Sequence, residues 1–173
     1  DKNSLVLVLP ADHSINNANQ FSEIINNGIK YAEEGFIVNF GITPTYPETG
    51  FGYIEAEEPL PERGNKGIKI KKFIEKPDKK TAEKLVLNDK YSWNSGIFLM
   101  RSEVVLKQFD LFAPEVILQC KDCMKNSSID LDFVRISKEK FSACPSIPFD
   151  IAVMEKTELG IVLPLNVKWS DVG

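Results

Sequence analysis

The stretch Phe73–Phe98, FIEKPDKKTAEKLVLNDKYSWNSGIF, decides how the chain is to be folded. Phe73 and Ile74 close a strand-like run. Glu75 and Lys76 follow, and Pro77, which has no amide hydrogen to give a ladder, stops the strand. A short amphipathic helix is expected over Lys79–Leu87, with Ala82, Leu85 and Val86 inward. Trp93-Asn94-Ser95-Gly96 then leads into Ile97–Met100, expected as a buried strand. An acid and a base at one strand end, with an amide at the mouth of the next, can converge on one small polar ligand. In open α/β sheets, ligands bind beyond the carboxyl ends of strands. Glu75 and Lys76 are neighbours in an extended segment, so they start on opposite faces. They serve one ligand only if the backbone twists or bends there, or if the ligand wraps the strand end.

Upstream, Ile68–Glu75 (IKIKKFIE) alternates apolar and basic residues, as in a strand with one solvated face. Lys69 and Lys71 are therefore read as surface charges. With Phe51–Glu57 and the polar connection Glu58–Gly67 it forms a hairpin. Gly50 and Gly52 flank Phe51, where a ligand could approach the backbone closely; plain turn chemistry is an equal reading. Thr43–Gly50 is a loop, marked by two prolines and a glycine. Phe36–Ile42 reads as a buried strand. Asn17–Glu34 reads as a helix whose stripe is Phe21, Ile24, Ile25, Gly28, Ile29 and Ala32. Ser4–Leu9 is a continuous apolar run that suits a buried parallel strand. Asp12 and His13 fall just beyond it. A hard carboxylate there suits Mg²⁺, and capping a turn is an equal reading of Asp12 from position alone. His13 reads as a structural or supporting group.

Downstream, Ser102 can cap a helix to about Phe109, and Pro114 suits the start of Glu115–Lys125. A third short helix is expected near Asp130–Ile136, and a loop over Lys138–Ser146. Phe149–Lys156 reads as a helix opened by Pro148. Ile161–Leu165 and Val167–Trp169 read as short strands, with Asp171 just past them.

A chain of 173 residues is enough for one domain with a sizeable core. The net charge of −4 argues against nucleic acid as a main partner. No apolar run reaches the ~20 residues of a membrane span. Cys120 and Cys123 form a C-x-x-C in a helix, with Cys144 apart. Zinc would need four ligands, and His13 is the only histidine, so reduced thiols in a cytoplasmic protein are the expectation. Neither G-x-G-x-x-G nor G-x-x-x-x-G-K occurs.

FIEKP and WNSGIF, taken with LPADH at 9–13, TGFGYI at 49–54 and WSDVG at 169–173 in this order, resemble the sugar-nucleotidyltransferase family. The resemblance covers nearly the whole chain. It implies a three-layer α/β/α Rossmann-like fold with a mixed, mostly parallel sheet and an inserted β-hairpin. It implies a single domain over 1–173, truncated at both ends, because the family's glycine-rich triphosphate loop does not occur in these residues. The implied reaction joins mannose 1-phosphate to GTP and releases pyrophosphate, with this stretch inactive alone. A glucose 1-phosphate enzyme, or a non-catalytic sugar-phosphate sensor, stays open, as does self-association. By the same resemblance Asp12 and Asp171 share Mg²⁺, and Lys76 holds the sugar phosphate. Glu75, Asn94, Gly52 and Tyr53 meet the sugar, and Lys156 borders the pocket along with Asp150 and Glu155; a surface salt-bridge role is an equal reading of these three.

Overall fold

The computed structural model describes residues 3–61 and 66–172. In chain order the elements are β1 (Leu5–Val8), β2 (His13–Ile15), α1 (Ala18–Glu33), β3 (Ile37–Ile42), β4 (Tyr53–Ala56), β5 (Ile68–Ile74), α2 (Lys79–Leu85), β6 (Tyr91–Arg101), α3 (Ser102–Phe112), α4 (Pro114–Lys125), β7 (Ser128–Asp130), β8 (Phe133–Arg135), α5 (Lys138–Ser142), β9 (Gly160–Pro164) and β10 (Trp169–Asp171). They fall into two compact units. The first runs to Val104 and resumes at Thr157; the second is Val105–Lys156.

The first unit is built on a mixed sheet in the order β1-β6-β3-β9-β5-β4. β4 also pairs with β6, so the sheet curls on itself. Its centre is β3 and β9, parallel to each other and buried along their whole lengths. Their apolar runs, IVNFGI and GIVLP, have no polar alternation because neither face meets water. α1 closes one face with Ile24, Gly28 and Ala32. Asn17 caps it, accepting from the Gln20 amide at 3.1 Å. Each fully buried side chain such as Phe40 or Leu163 contributes about 1.5–3 kcal/mol by leaving water.

The α/β class, the mixed sheet and the β4–β5 hairpin are as the sequence implies; residues 62–65 of the expected hairpin connection lie outside the described residues. The balance of directions differs. Among the described residues only β3 and β9 run parallel, and the other pairings are antiparallel. β1 differs too: it is an edge strand antiparallel to β6, and Val6, Leu7, Val8 and Leu9 are exposed. Apolar content reports that a strand suits burial on both faces; it carries no information on direction or place.

In the second unit, Pro114 opens α4 at a position whose amide has no helical partner. α4 and α5 pack together, and Lys140 pairs with Asp122 at 3.1 Å. The helix expected near Asp130–Ile136 is instead the β7–β8 hairpin. Leu131 turns with φ 53°, and Arg135 Nε donates across the strands to Asp130 at 3.0 Å. The expected loop 138–146 contains α5, capped by Ser137. Phe149–Lys156 contains a π-type turn over Asp150–Met154, where the Glu155 amide reaches back to the Asp150 carbonyl at 2.9 Å. Cys120, Cys123 and Cys144 are free thiols, and burial, then the adjacent Cys120, pushes the Cys144 thiol up. Among the described residues no helix is long and apolar enough to cross a membrane.

Candidate active site

Register assembles the first half of the site. Ile74 lies opposite Tyr53, and Tyr53 opposite Trp93. One residue further along, the same register sets Gly52 between Glu75 and Asn94. The Asn94 amide donates to the Gly52 carbonyl at 2.8 Å, which extends the ladder by that step. Residues opposite one another in antiparallel strands share a face. Glu75 and Asn94 therefore flank a notch whose floor is Gly52. The notch exists because Gly52 has no side chain: a Cβ there would sit 2.7 Å from Glu75 Oε2 and 3.5 Å from Asn94 Cβ. Among the described residues β5 and β6 do not pair directly; β4 lies between them, and Gly52 directly precedes it.

The bend required between Glu75 and Lys76 is present. Lys76 has φ 43°, the left-handed conformation that a side chain disfavours. This turn abolishes the opposite-face relation of an extended pair and brings Lys76 Nζ to 3.8 Å from Glu75 Oε1. The strain costs of the order of 1–2 kcal/mol. The Lys76 side chain is 65% exposed and that of Glu75 30%, so the pair adds little stability of its own. Pro77 is buried, fixing the point where the chain leaves the sheet.

Asn94 is not at the mouth of a strand. β6 begins at Tyr91 and runs through the WNSG stretch, which holds an irregularity against β3 between the pairs Asn39–Phe98 and Gly41–Asn94. The β6 side has three intervening residues where β3 has one. Gly96 takes the strain with φ 68°. The bulge curls the backbone so that the Asn94 oxygen accepts the Gly96 amide at 3.0 Å and Asn39 Nδ2 at 2.7 Å. Two donors on the oxygen fix the amide's orientation and leave donation to its NH₂ end. Asn39 is fully buried and sits in a strand that reads as pure core, so its part in holding Asn94 is invisible in the sequence. Tyr53, a sugar-site candidate, is also fully buried. Its hydroxyl donates to the Glu48 carbonyl at 2.8 Å, and burial, first, raises its pKa. The side chain braces the 43–50 loop and does not enter the notch.

The second half of the site is the two-stranded pairing of β2 and β10, which sets Asp171 opposite His13. The Val172 amide donates to the Asp12 carbonyl at 3.0 Å. Asp12, His13 and Asp171 bring ligand atoms within 4.8 Å of one another. The Asp12 side chain is 60% exposed, so its carboxylate can adjust to a cation shared with Asp171. The two carboxylates of this set fit a hard divalent cation.

An aromatic bridge joins the halves. His13 meets Trp169 edge to face with centroids 5.1 Å apart, and Trp169 meets Phe51 at 5.5 Å. Phe51 adjoins Gly52 in the chain and contacts Trp93 at 5.3 Å. Phe51 and Trp169 were within reach of sequence reasoning, since Phe51 abuts Gly52 and Trp169 lies two residues before Asp171; only their mutual contact needed the fold. Lys156 belongs to the second unit, where its ammonium donates to the Phe112 carbonyl at 3.4 Å.

A family model described as nucleotidyl transferase matches residues 1–173. The chain is 46% identical over 173 residues to mannose-1-phosphate guanylyltransferase 2 of Escherichia coli O157:H7, covering 98% of this chain and 36% of that protein. It is 41% identical over 174 residues to a mannose-1-phosphate guanylyltransferase of Escherichia coli, covering 100% of this chain and 38% of that protein. The chain thus spans 36–38% of the length of these relatives. A crystal structure of a Helicobacter pylori protein described as a mannose-6-phosphate isomerase matches with TM-score 0.89 and 30% identity, over 99% of this chain and 66% of that one. One from Thermus thermophilus, described as a mannose-1-phosphate geranyltransferase, matches with TM-score 0.81 and 30% identity, over 97% of this chain and 46% of that one.

Proposed function

We propose, from the premise that this chain belongs to the nucleotidyl transferase family, that the protein containing it transfers a guanylyl group from GTP to mannose 1-phosphate. The products are GDP-mannose and pyrophosphate. One observation carries this reading: the Glu75–Gly52–Asn94 notch and the Asp12–Asp171 pair are joined through Phe51 and Trp169.

Both reactants are anions, so catalysis is mainly alignment and charge compensation. The sugar ring approaches the notch at Gly52, where the Glu75 carboxylate lies over the missing Cβ and Asn94 stands beside it. Glu75 accepts hydrogen bonds from sugar hydroxyls, and the oriented Asn94 amide donates one. Lys76, swung round by its left-handed backbone, meets the 1-phosphate as a point charge. The phosphate oxygen then attacks the α-phosphorus in line, without a covalent enzyme intermediate. Asp12 and Asp171 hold Mg²⁺, which when bound neutralises phosphate charge. We further assign the protein to the cytoplasm, consistent with its free thiols.

The test is product analysis on the full-length protein with GTP and mannose 1-phosphate, glucose 1-phosphate run in parallel. GDP-mannose is the expected product, and Asp171→Asn is expected to abolish it. Preference for glucose 1-phosphate, or full turnover in Asp171→Asn, would refute the assignment.

A further inference from the structure

We infer that His13 is not a ligand to the metal but a positioning group, locked by Trp169 into the one tautomer that cannot bind a cation at this site. The inference rests on the metal reading above for its consequence, and on the strand geometry for its premise.

β10 sets Trp169 and Asp171 two residues apart, hence on one face of the strand. The register with β2 sets His13 opposite Asp171 and diagonal to Trp169. The imidazole therefore has the indole on one side and the carboxylates on the other. Trp169 Nε1 donates to His13 Nδ1 at 3.2 Å. Indole is a donor only, so Nδ1 must present its lone pair. A neutral imidazole with an accepting Nδ1 carries its hydrogen on Nε2. Nε2 is the nitrogen that faces Asp12, 4.0 Å from Oδ1. That N–H faces the carboxylate from beyond hydrogen-bond reach, and it has no lone pair to offer a metal. The His13 side chain is 11% exposed, so solvent competes little for the ring. Its other surroundings are apolar: Leu9, Pro10, Ile15, Phe21 and Ile97 line an adjoining cavity of about 280 Å³ and offer no alternative side-chain acceptor.

The consequence is metal selection. A histidine with two carboxylates is a mixed nitrogen–oxygen site, which favours Zn²⁺ and its neighbours over Mg²⁺ and Mn²⁺. With the nitrogen withdrawn, only carboxylate oxygens remain, and these suit hard cations. Trp169 thus protects a Mg²⁺ site from later transition metals by occupying Nδ1.

In a long-range ¹H–¹⁵N spectrum of the full-length protein, His13 is assigned as the imidazole whose signals His13→Ala removes. The expected pattern has the hydrogen on Nε2 and the lone pair on Nδ1, before and after Mg²⁺ is added. A hydrogen on Nδ1, or an Nε2 shift characteristic of metal ligation, would overturn the inference. Trp169→Phe keeps the ring and removes the donor. Its Zn²⁺ affinity relative to Mn²⁺ is expected to rise by roughly 10–100-fold, the scale at which groups behind ligands act. His13→Ala added to it should cancel the gain, which separates this site from the three thiols. An unchanged ratio in folded Trp169→Phe would refute the lock; if that variant does not fold, the wild-type ring pattern decides. Mn²⁺ binding that survives Asp12→Asn would instead refute the metal assignment, whatever the ring pattern.

Discussion

Filling the notch is the sharpest test of how the site is built. In Gly52→Ala the new Cβ falls 2.7 Å from Glu75 Oε2, 3.2 Å from Phe73 Cε1 and 3.5 Å from Asn94 Cβ. The third distance is ordinary contact. Phe73 is buried and must give by a few tenths of an ångström; overpacking of this kind typically costs about 1–3 kcal/mol. Gly52 does not have a positive φ, so alanine recovers about 0.4–1 kcal/mol of chain entropy. Net destabilisation is therefore about 0–2.6 kcal/mol. The Glu75 carboxylate must rotate away, because 2.7 Å to a carbon cannot stand. Its hydrogen bonds to sugar hydroxyls are then lost, at about 1.5–3 kcal/mol for a charged acceptor, which is roughly 10–150-fold in sugar affinity. The assay is the KM for mannose 1-phosphate in the full-length protein, beside a thermal melt. Gly50→Ala is the control, since its Cβ meets only the Glu48 side chain. A normal KM in Gly52→Ala, with the melt unchanged, would show that the notch does not hold the sugar.

Lys76→Gly separates strain from function. Glycine accepts φ 43° freely, so the melt should rise or stay level while turnover falls with the lost phosphate contact; a marked loss of stability would mean the backbone there is not strained. Asn94→Ala should change the ratio of kcat/KM for mannose 1-phosphate over glucose 1-phosphate, by ~1–3 kcal/mol of discrimination, whereas Lys76→Ala should weaken both sugars alike. An unchanged ratio in Asn94→Ala removes it from sugar recognition. Glu55 is held below the usual 4.5, first by the hydrogen bond from Lys71 and against the cost of burial. A depressed carboxyl stabilises the fold above its unfolded value and loses that contribution as pH falls through the folded one. The stability gap between wild type and Lys71→Gln should therefore be present above about pH 4.5 and vanish below it. It should be small, because Lys71 is 62% exposed. A gap that persists at strongly acid pH, measured by denaturant titration, would assign Lys71 a packing role.

The fold was legible where a pattern has one physical cause. The 3.6-residue stripe of α1 and the apolar runs of β3 and β9 report burial directly, and each lies where the sequence puts it. The β7–β8 hairpin shows the converse. Ile129, Leu131 and Phe133 alternate with polar residues, a period-two signal, yet it is short and wholly exposed, so helix-forming neighbours outweigh it in a reading by propensity. In the site, the residue types were legible and their joinery was not. Nothing local says that β4 enters between β5 and β6, so Gly52 as the floor between Glu75 and Asn94 depends on a pairing between strands remote in sequence. The backbone turn at Lys76 was demanded by logic, since two neighbours cannot otherwise share a ligand, but the sequence names no residue type that would signal it: lysine is a poor choice for φ 43°. A position that holds an unfavourable residue in an unfavourable conformation keeps it for its side chain. Glycine would relieve the strain and remove the charge, so the strain itself argues that the ammonium group is needed at that end of the strand.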